Sequence, residues 1–486
     1  MGLTVQALER NALVRLIADK GLGISVLLGL VFWNLSGQTV AIAAMVMLWA
    51  FWRFLPIDEG PPGLPFSCSF HLTQIVIGVF YFGATGRTLE PMLAPQFDRM
   101  MWLAMLSIGA TAFGFVVGNH WIKGGIEAPP KMRLDVSIKQ LVLTYIAVVL
   151  AYDTVFRFAY QIPLFTQAVL ALLAVQGGLL YLVLRRLFLD GRPYAAVLIV
   201  LVEVARGFTG FYSEFKEPVL LALLASAEVF RPKKASHWML VVALLVSAVM
   251  LGTVWLGIRG EIRSDISGGA VRPRAERLAF AVDEARSWWN SDTDLKLYDL
   301  DDLVERLWDI YYTALALDRV PSQIPHGNGE MMWAAVQHVL MPRFLFPNKA
   351  DLPSESEDVY RYTGLRVAGR EQATTIAFGS VIQSYIDFGV PLMFLPPLML
   401  GVLLGALYRW LLNTVHHEEI LLAIVAVAFW STLMTYNVSW AKILGKFFTT
   451  MIYMGVLGVM LDKMLYESRM RRAADVAVAD PPVLHR

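Results

Sequence analysis

The sequence predicts an all-α polytopic membrane protein, with about twelve transmembrane helices and one large helical loop outside the membrane. Three observations predict it. Of the 486 residues, 57% are hydrophobic and 17% charged, with a mean hydropathy of +0.55, whereas a soluble chain is about 45–50% apolar and about 25% charged. Apolar runs of the roughly 17–25 residues that cross a bilayer recur along the chain. Lys and Arg gather in alternate connections between those runs. The net charge of +1, from 41 basic and 40 acidic residues, creates no long-range field for nucleic acid. The single cysteine, Cys68, rules out an intramolecular disulfide framework and a multi-cysteine metal site.

Taken in order, the predicted spans run near 16–35, 38–55, 66–84, 99–119, 138–156, 162–184, 193–210, 217–231, 237–258, 389–411, 420–438 and 443–462. The first twenty residues are amphipathic and charged, unlike a cleavable leader, so insertion is expected to rely on the spans. With the N-terminus cytoplasmic, that side collects twenty Lys and Arg, among them Lys131, Arg133, Arg185, Arg409 and Lys463, against six in the opposite short loops. Both termini are therefore expected in the cytoplasm. Residues 373–388 tempt a thirteenth span but contain Gln383, Ser384 and Asp387 and run into Gly389 and Pro391. Counting them would move the basic tail outside, so they are read as a helix against or dipping into the outer face. The chain then divides into a nine-span bundle (1–258), an outer block (259–388), three further spans (389–462) and a tail (463–486).

Within the outer block, residues 259–372 carry 14 basic and 19 acidic residues. A connection of this length usually carries function. Three helices are predicted in it. One follows Pro273 and ends at Trp288 and Trp289, one covers 298–317 with Asp299, Asp301 and Asp302 at its dipole-favoured start, and one runs from about Glu330 to Leu340. Asp292-Thr293-Asp294 and Asp299-Leu300-Asp301 are assigned to helix N-termini, and no metal is expected. His416-His417-Glu418-Glu419 is read as a polar connection on the cytoplasmic side.

The stretch from Asp318 to Pro353 mixes turn residues with a short helix and a rigid basic segment. Arg343 and Lys349 there offer charge-assisted donors to an oxyanion, or else pair with Asp351, Glu355, Glu357 and Asp358. The succession D-R-V-P (318–321), P-H-G-N-G-E (325–330), M-P-R-F-L-F-P-N-K (341–349) and G-S-V-I-Q-S-Y-I-D-F-G-V (379–390), followed by an apolar span, resembles the bacterial O-antigen or oligosaccharide repeat-unit polymerases. The similarity covers about 317–412. It departs from the family at Gln383, where an acidic residue is common.

The resemblance implies a multi-pass enzyme of the bacterial inner membrane that polymerises undecaprenyl diphosphate-linked repeat units on the periplasmic face, without a cofactor. Its partners would be lipid-linked oligosaccharide, membrane lipid and a chain-length regulator, with no nucleic acid. Charge building on the diphosphate leaving group has to be met, here by arginine and lysine rather than a metal. The candidates are Arg206, Lys216, Arg259, Arg263, Arg319, Arg343 and Lys349. Two have plain structural alternatives: an in-helix pair of Arg206 with Glu203, and snorkelling of Arg259 at a span end. The acceptor hydroxyl requires a base, for which Glu214, Glu261, Asp265, His326 and Glu330 are near enough in sequence. His326 and Glu330 are preferred because they lie in the matching motif. A ligase using the same donor is the nearest competing reading. A transporter ranks third, because a block of 114 residues (259–372) separates nine spans from three with no matching half.

Overall fold

A computed structural model describes residues 21–55, 63–123, 129–161, 169, 173–208, 216–229, 234–267, 274–308, 310–341, 345–346, 348, 354–369, 376–377, 379–429 and 438–479. Among these residues the architecture is helical, with no β-strand beyond one isolated bridge between Met132 and His417.

The first helices are α1 (Leu22–Ser36), α2 (Val40–Phe54), α3 (Gly63–Thr85) and α4 (Phe97–Lys123). They are followed by α5 (Ile138–Gln161), α6 (Val175–Leu189), α7 (Pro193–Gly207), α8 (Lys216–Val229) and α9 (Ala235–Ser267). The outer block supplies α10 (Arg274–Trp289), α11 (Thr293–Leu307), α12 (Tyr311–Arg319), α13 (Glu330–Leu340), α14 (Glu355–Thr363) and α15 (Ser380–Phe388). The chain closes with α16 (Leu395–Thr414), α17 (Glu418–Ala428), α18 (Trp440–Thr450) and α19 (Val456–Ala479), the last two joined through a π-helical turn at Met451–Gly455.

Among the described residues, five stretches are long and apolar enough to cross a membrane: Gly63–Thr85, Phe97–Trp121, Ala235–Ser264, Leu392–Thr414 and Trp440–Arg471. These are the third, fourth, ninth, tenth and twelfth of the predicted spans. The first two predicted spans contain fifteen-residue helices, and the sixth, seventh, eighth and eleventh run partly into residues outside the description. The ninth continues past its predicted end at 258 to Ser267, running through Gly260 with no proline to stop it before Pro273. Arg259 and Arg263 are thus one turn apart on one helix face.

Two apolar cores share α17. Leu421 and Ile424 belong to the core formed with α2, α3, α4, α12 and α16, and Leu422 and Ala426 to the core formed with α6 to α9. Close helix approach in the first core comes from glycine. Gly114 and Gly118 of α4 face Gly401 and Gly405 of α16, and a Cβ on any of the four would lie 2.0–2.3 Å from a backbone oxygen of the other helix.

The outer helices are fastened by aromatic anchors. The predicted helix over 298–317 is in fact two, α11 and α12, separated at Trp308, and Asp299 and Asp301 lie within α11 rather than at a helix start. Their carboxylates diverge: Asp299 accepts from Trp288 Nε1 at 2.6 Å, and Asp301 receives Tyr81 and Arg87. The break lets the Trp308 indole insert against α3, donating to Ile75 O at 2.8 Å and meeting Phe97 edge-on at 5.2 Å. A Cβ at Gly78 would stand only 1.8 Å from that ring. Trp308→Ala is expected to cost about 3–5 kcal/mol, read as a lower unfolding temperature in detergent, whereas Trp289→Ala at the exposed neighbouring anchor should cost far less.

On the face predicted to be cytoplasmic, His416-His417-Glu418-Glu419 forms a hub. Asp462, 1% exposed, accepts from the backbone amides of His416 and His417 at 2.9 and 2.8 Å and faces both imidazoles at 2.8 Å. Arg185 pairs with Glu418 at 2.7 Å, and Glu419 accepts from the Leu134 amide at 2.9 Å. Basic residues gathered on this side therefore also tie α6, α16, α17 and α19 together.

Candidate anion-binding cavity

Where α5 to α8 meet α17 and α18, a cavity of about 430 Å³ opens beside the second apolar core. Its polar lining comes from Tyr152 of α5, Gln176 of α6, Glu203 and Arg206 of α7, Lys216 and Glu217 of α8, and Lys446 and Thr450 of α18. Leu180, Leu221 and Val427 close it on the apolar side. Ionisable side chains on helices this apolar are costly unless paired or facing a polar cavity.

Arg206 and Glu203 satisfy that requirement mutually. They sit one turn apart on α7 and pair at 2.9 Å, with Glu203 only 4% exposed. Gln176 Nε2 reaches Glu203 Oε2 at 3.5 Å, and the Arg206 guanidinium lies over the Tyr152 ring at 5.4 Å from its centroid. The in-helix pair foreseen as the plain alternative is present, and it also fixes the guanidinium at the cavity wall. Lys216 and Lys446 form no ion pair among the described residues. Both are exposed and line the cavity from different helices.

The positive field extends along α9. Arg259 and Arg263 both act electrostatically on Lys216, while Arg259 is held 3.5 Å from Asp302 of α11. Two of the seven predicted diphosphate ligands, Arg206 and Lys216, thus line the cavity, and Arg259 and Arg263 lie near enough to act on Lys216 electrostatically. Arg319 is elsewhere: its Nε donates to Gln323 Oε1 at 3.0 Å, and its guanidinium packs on Gly364. Arg343 and Lys349 lie outside the described residues, as do Glu214 and the side chain of Asp265. Lys446 was not anticipated. Its signal is a lysine inside the apolar run W-A-K-I-L-G-K-F-F-T-T, one turn beyond Lys442.

The motif region forms a separate unit outside the cavity lining. Helix α15 begins after Gly379 and ends at Gly389, both at positive φ (81° and 62°), and residues 380–387 are all buried. Its polar side chains serve neighbouring helix ends, which is why an apolar segment of this composition stops short of a span. Gln383 Oε1 accepts the Trp440 amide at the start of α18, and Ser384 Oγ accepts Trp440 Nε1, each at 2.8 Å. Asp387 accepts the Met331 and Met332 amides at 3.2 and 2.7 Å, the dipole-positive end of α13. His326 packs edge-on against Tyr385 with Nδ1 3.2 Å from Ile386 O, and a Cβ on Gly389 would lie 2.8 Å from its Nε2. Glu330 is exposed on the first turn of α13. Since α13 packs against α18, this region is coupled to the cavity through the helix that carries Lys446.

Close to Glu330, burial pushes the Asp358 carboxyl up to about 6, opposed by Arg361 and reinforced by Glu355, Glu357 and Glu330. A folded-state pKa above the unfolded value of about 3.9 favours the protonated form on folding. This group's contribution therefore weakens as pH rises from about 4 through about 6. Asp358→Asn is expected to raise the unfolding temperature at pH 7.5 and to change it little at pH 4, measured by thermal unfolding in detergent.

A family model described as a domain of unknown function, DUF8712, matches residues 111–463, and the chain belongs to that family. No curated protein and no solved structure matches the chain. The matched segment runs from within α4 to within α19 and so contains both the cavity and the motif region.

Proposed function

We propose that this protein is a metal-independent glycosyltransferase of the bacterial inner membrane that polymerises undecaprenyl diphosphate-linked oligosaccharide repeat units on the periplasmic face. The observation that carries the reading is the convergence of Arg206, Lys216 and Lys446, from three helices, on one cavity. Its volume falls within the roughly 300–1,000 Å³ typical of small-molecule sites. Transfer of a glycan from a lipid diphosphate leaves negative charge on phosphate oxygens, and cations already held around a cavity stabilise such charge without having to reorganise.

In this reading the chain crosses the membrane about twelve times with both termini inside. Arg206, Lys216, Arg259 and Lys446 then all fall at the outer ends of their helices, the side on which lipid-linked repeat units are polymerised. Arg259 and Arg263 would draw the diphosphate towards Lys216. The resemblance over 317–412 favours a polymerase over a ligase.

The test in cells is direct. A strain lacking this protein, but making the repeat unit, is expected to accumulate lipid carrying a single unit. The wild-type gene should restore long glycan, and a gene encoding Arg206→Ala and Lys216→Ala should not. Full-length glycan in the absence of the protein would refute the reading.

A further inference from the structure

We propose that Glu217 is the general base that takes the proton from the acceptor sugar hydroxyl, an assignment that rests on the polymerase reading and adds the residue that reading lacks. A base must share a cavity with the cations that receive the leaving group, yet must not be neutralised by them. Among the described residues, two carboxylates line this cavity. Glu203 is 4% exposed, paired with Arg206 at 2.9 Å and approached by Gln176, so it holds the guanidinium in place and has no free path to substrate. Glu217 is open to the cavity and forms no ion pair among the described residues.

Its placement has two further features. Glu217 sits in the first turn of the fourteen-residue α8, where the helix dipole favours the carboxylate anion needed in a base. Facing it is Gly177 of α6, and an added Cβ there would come within 3.3 Å of Glu217 Oε1. The missing side chain keeps open the space beside the carboxylate oxygen. The motif residues His326 and Glu330 do not line the cavity.

The chemistry balances with the groups present. The acceptor oxygen forms a bond to the anomeric carbon of the donor glycan as the bond from that carbon to the phosphate oxygen breaks. The hydroxyl proton passes to Glu217, and the electron pair of the broken bond leaves on the lipid diphosphate opposite Arg206, Lys216 and Lys446.

The experiment uses full-length protein in liposomes supplied with the host's own undecaprenyl diphosphate-linked repeat unit, and follows the initial rate of ladder formation. Glu217→Gln is expected to lower kcat at least about a hundredfold, within the range for loss of a general base, with KM for the lipid-linked unit changed less than about threefold. Glu217→Ala should be similarly slow and should regain about tenfold in rate with added formate, which replaces the carboxylate; a variant that had merely misfolded would not. A kcat for Glu217→Gln within about threefold of wild type, or no effect of formate on a monodisperse Glu217→Ala, would overturn the assignment while leaving the polymerase reading intact. A wild-type protein that makes no ladder would remove both.

Discussion

Lys446→Ala is expected to reduce glycan polymerisation about a hundredfold or more, with little change in stability. Lys446 lies on α18, six residues after Trp440, whose backbone amide and indole are held by Gln383 and Ser384 of the buried helix α15. The lysine is therefore presented by a clamped helix end, and fixed cations act on a transition state without needing to reorganise. It forms no ion pair among the described residues, so removing it leaves no orphaned buried carboxylate. Lys446→Glu should be worse than Lys446→Ala, because it repels the diphosphate. Lys446→Arg should retain partial activity, since the charge stays but the donor geometry changes. Initial rates in proteoliposomes, with unfolding temperatures measured in parallel, check these outcomes. Arg206→Ala should behave differently, losing both rate and stability, because Glu203 would be left buried without its partner.

The largest structural effect is expected at the crossing of α4 and α16. Gly118→Leu or Gly405→Leu should abolish folded protein, with a cost of at least about 3 kcal/mol, at the upper end for overpacking, because the obstacle is backbone rather than a side chain that can turn away. A Cβ at Gly118 would be 2.0 Å from Val402 O, and one at Gly405 would be 2.1 Å from Phe115 O. The two glycine pairs, each spaced four apart, form the small-residue seam through which membrane helices approach closely. Gly23→Leu, where nothing lies within 4 Å of the added carbon, is the matching control. Size-exclusion profiles after detergent extraction should show loss of the monodisperse peak for the seam variants and its retention for Gly23→Leu.

What the sequence disclosed follows from which signals are local. Composition and apolar run length disclose the helical class, and Pro273 and Gly329 mark the starts of α10 and α13 closely. Gln383, Ser384 and Asp387 argue correctly that 373–388 is no ordinary span, but their targets, Trp440 and the amides of Met331 and Met332, are fixed only by tertiary structure. The helix break at Trp308 has no breaker residue to announce it. It exists because Gly78, 230 positions earlier, leaves space for an indole. The same limit applies to the cavity. Arg206 and Lys216 stand out in sequence as basic residues flanking a short connection, whereas Lys446 and Glu217 gain meaning only when α8 and α18 are seen to line the same cavity. The motif over 317–390 is conspicuous in sequence, yet its His326 and Asp387 are engaged in holding α13 and α15 together.

The most direct test of the central claim is reconstitution of the purified full-length protein with undecaprenyl diphosphate-linked repeat units as the sole substrate, without nucleotide sugar and with a chelator present. The account predicts a ladder of glycans rising by one repeat unit per step, formed by the wild type and suppressed in Lys446→Ala. A reaction that stops on addition of the chelator, or repeat units that remain single with the folded wild-type protein, would contradict it.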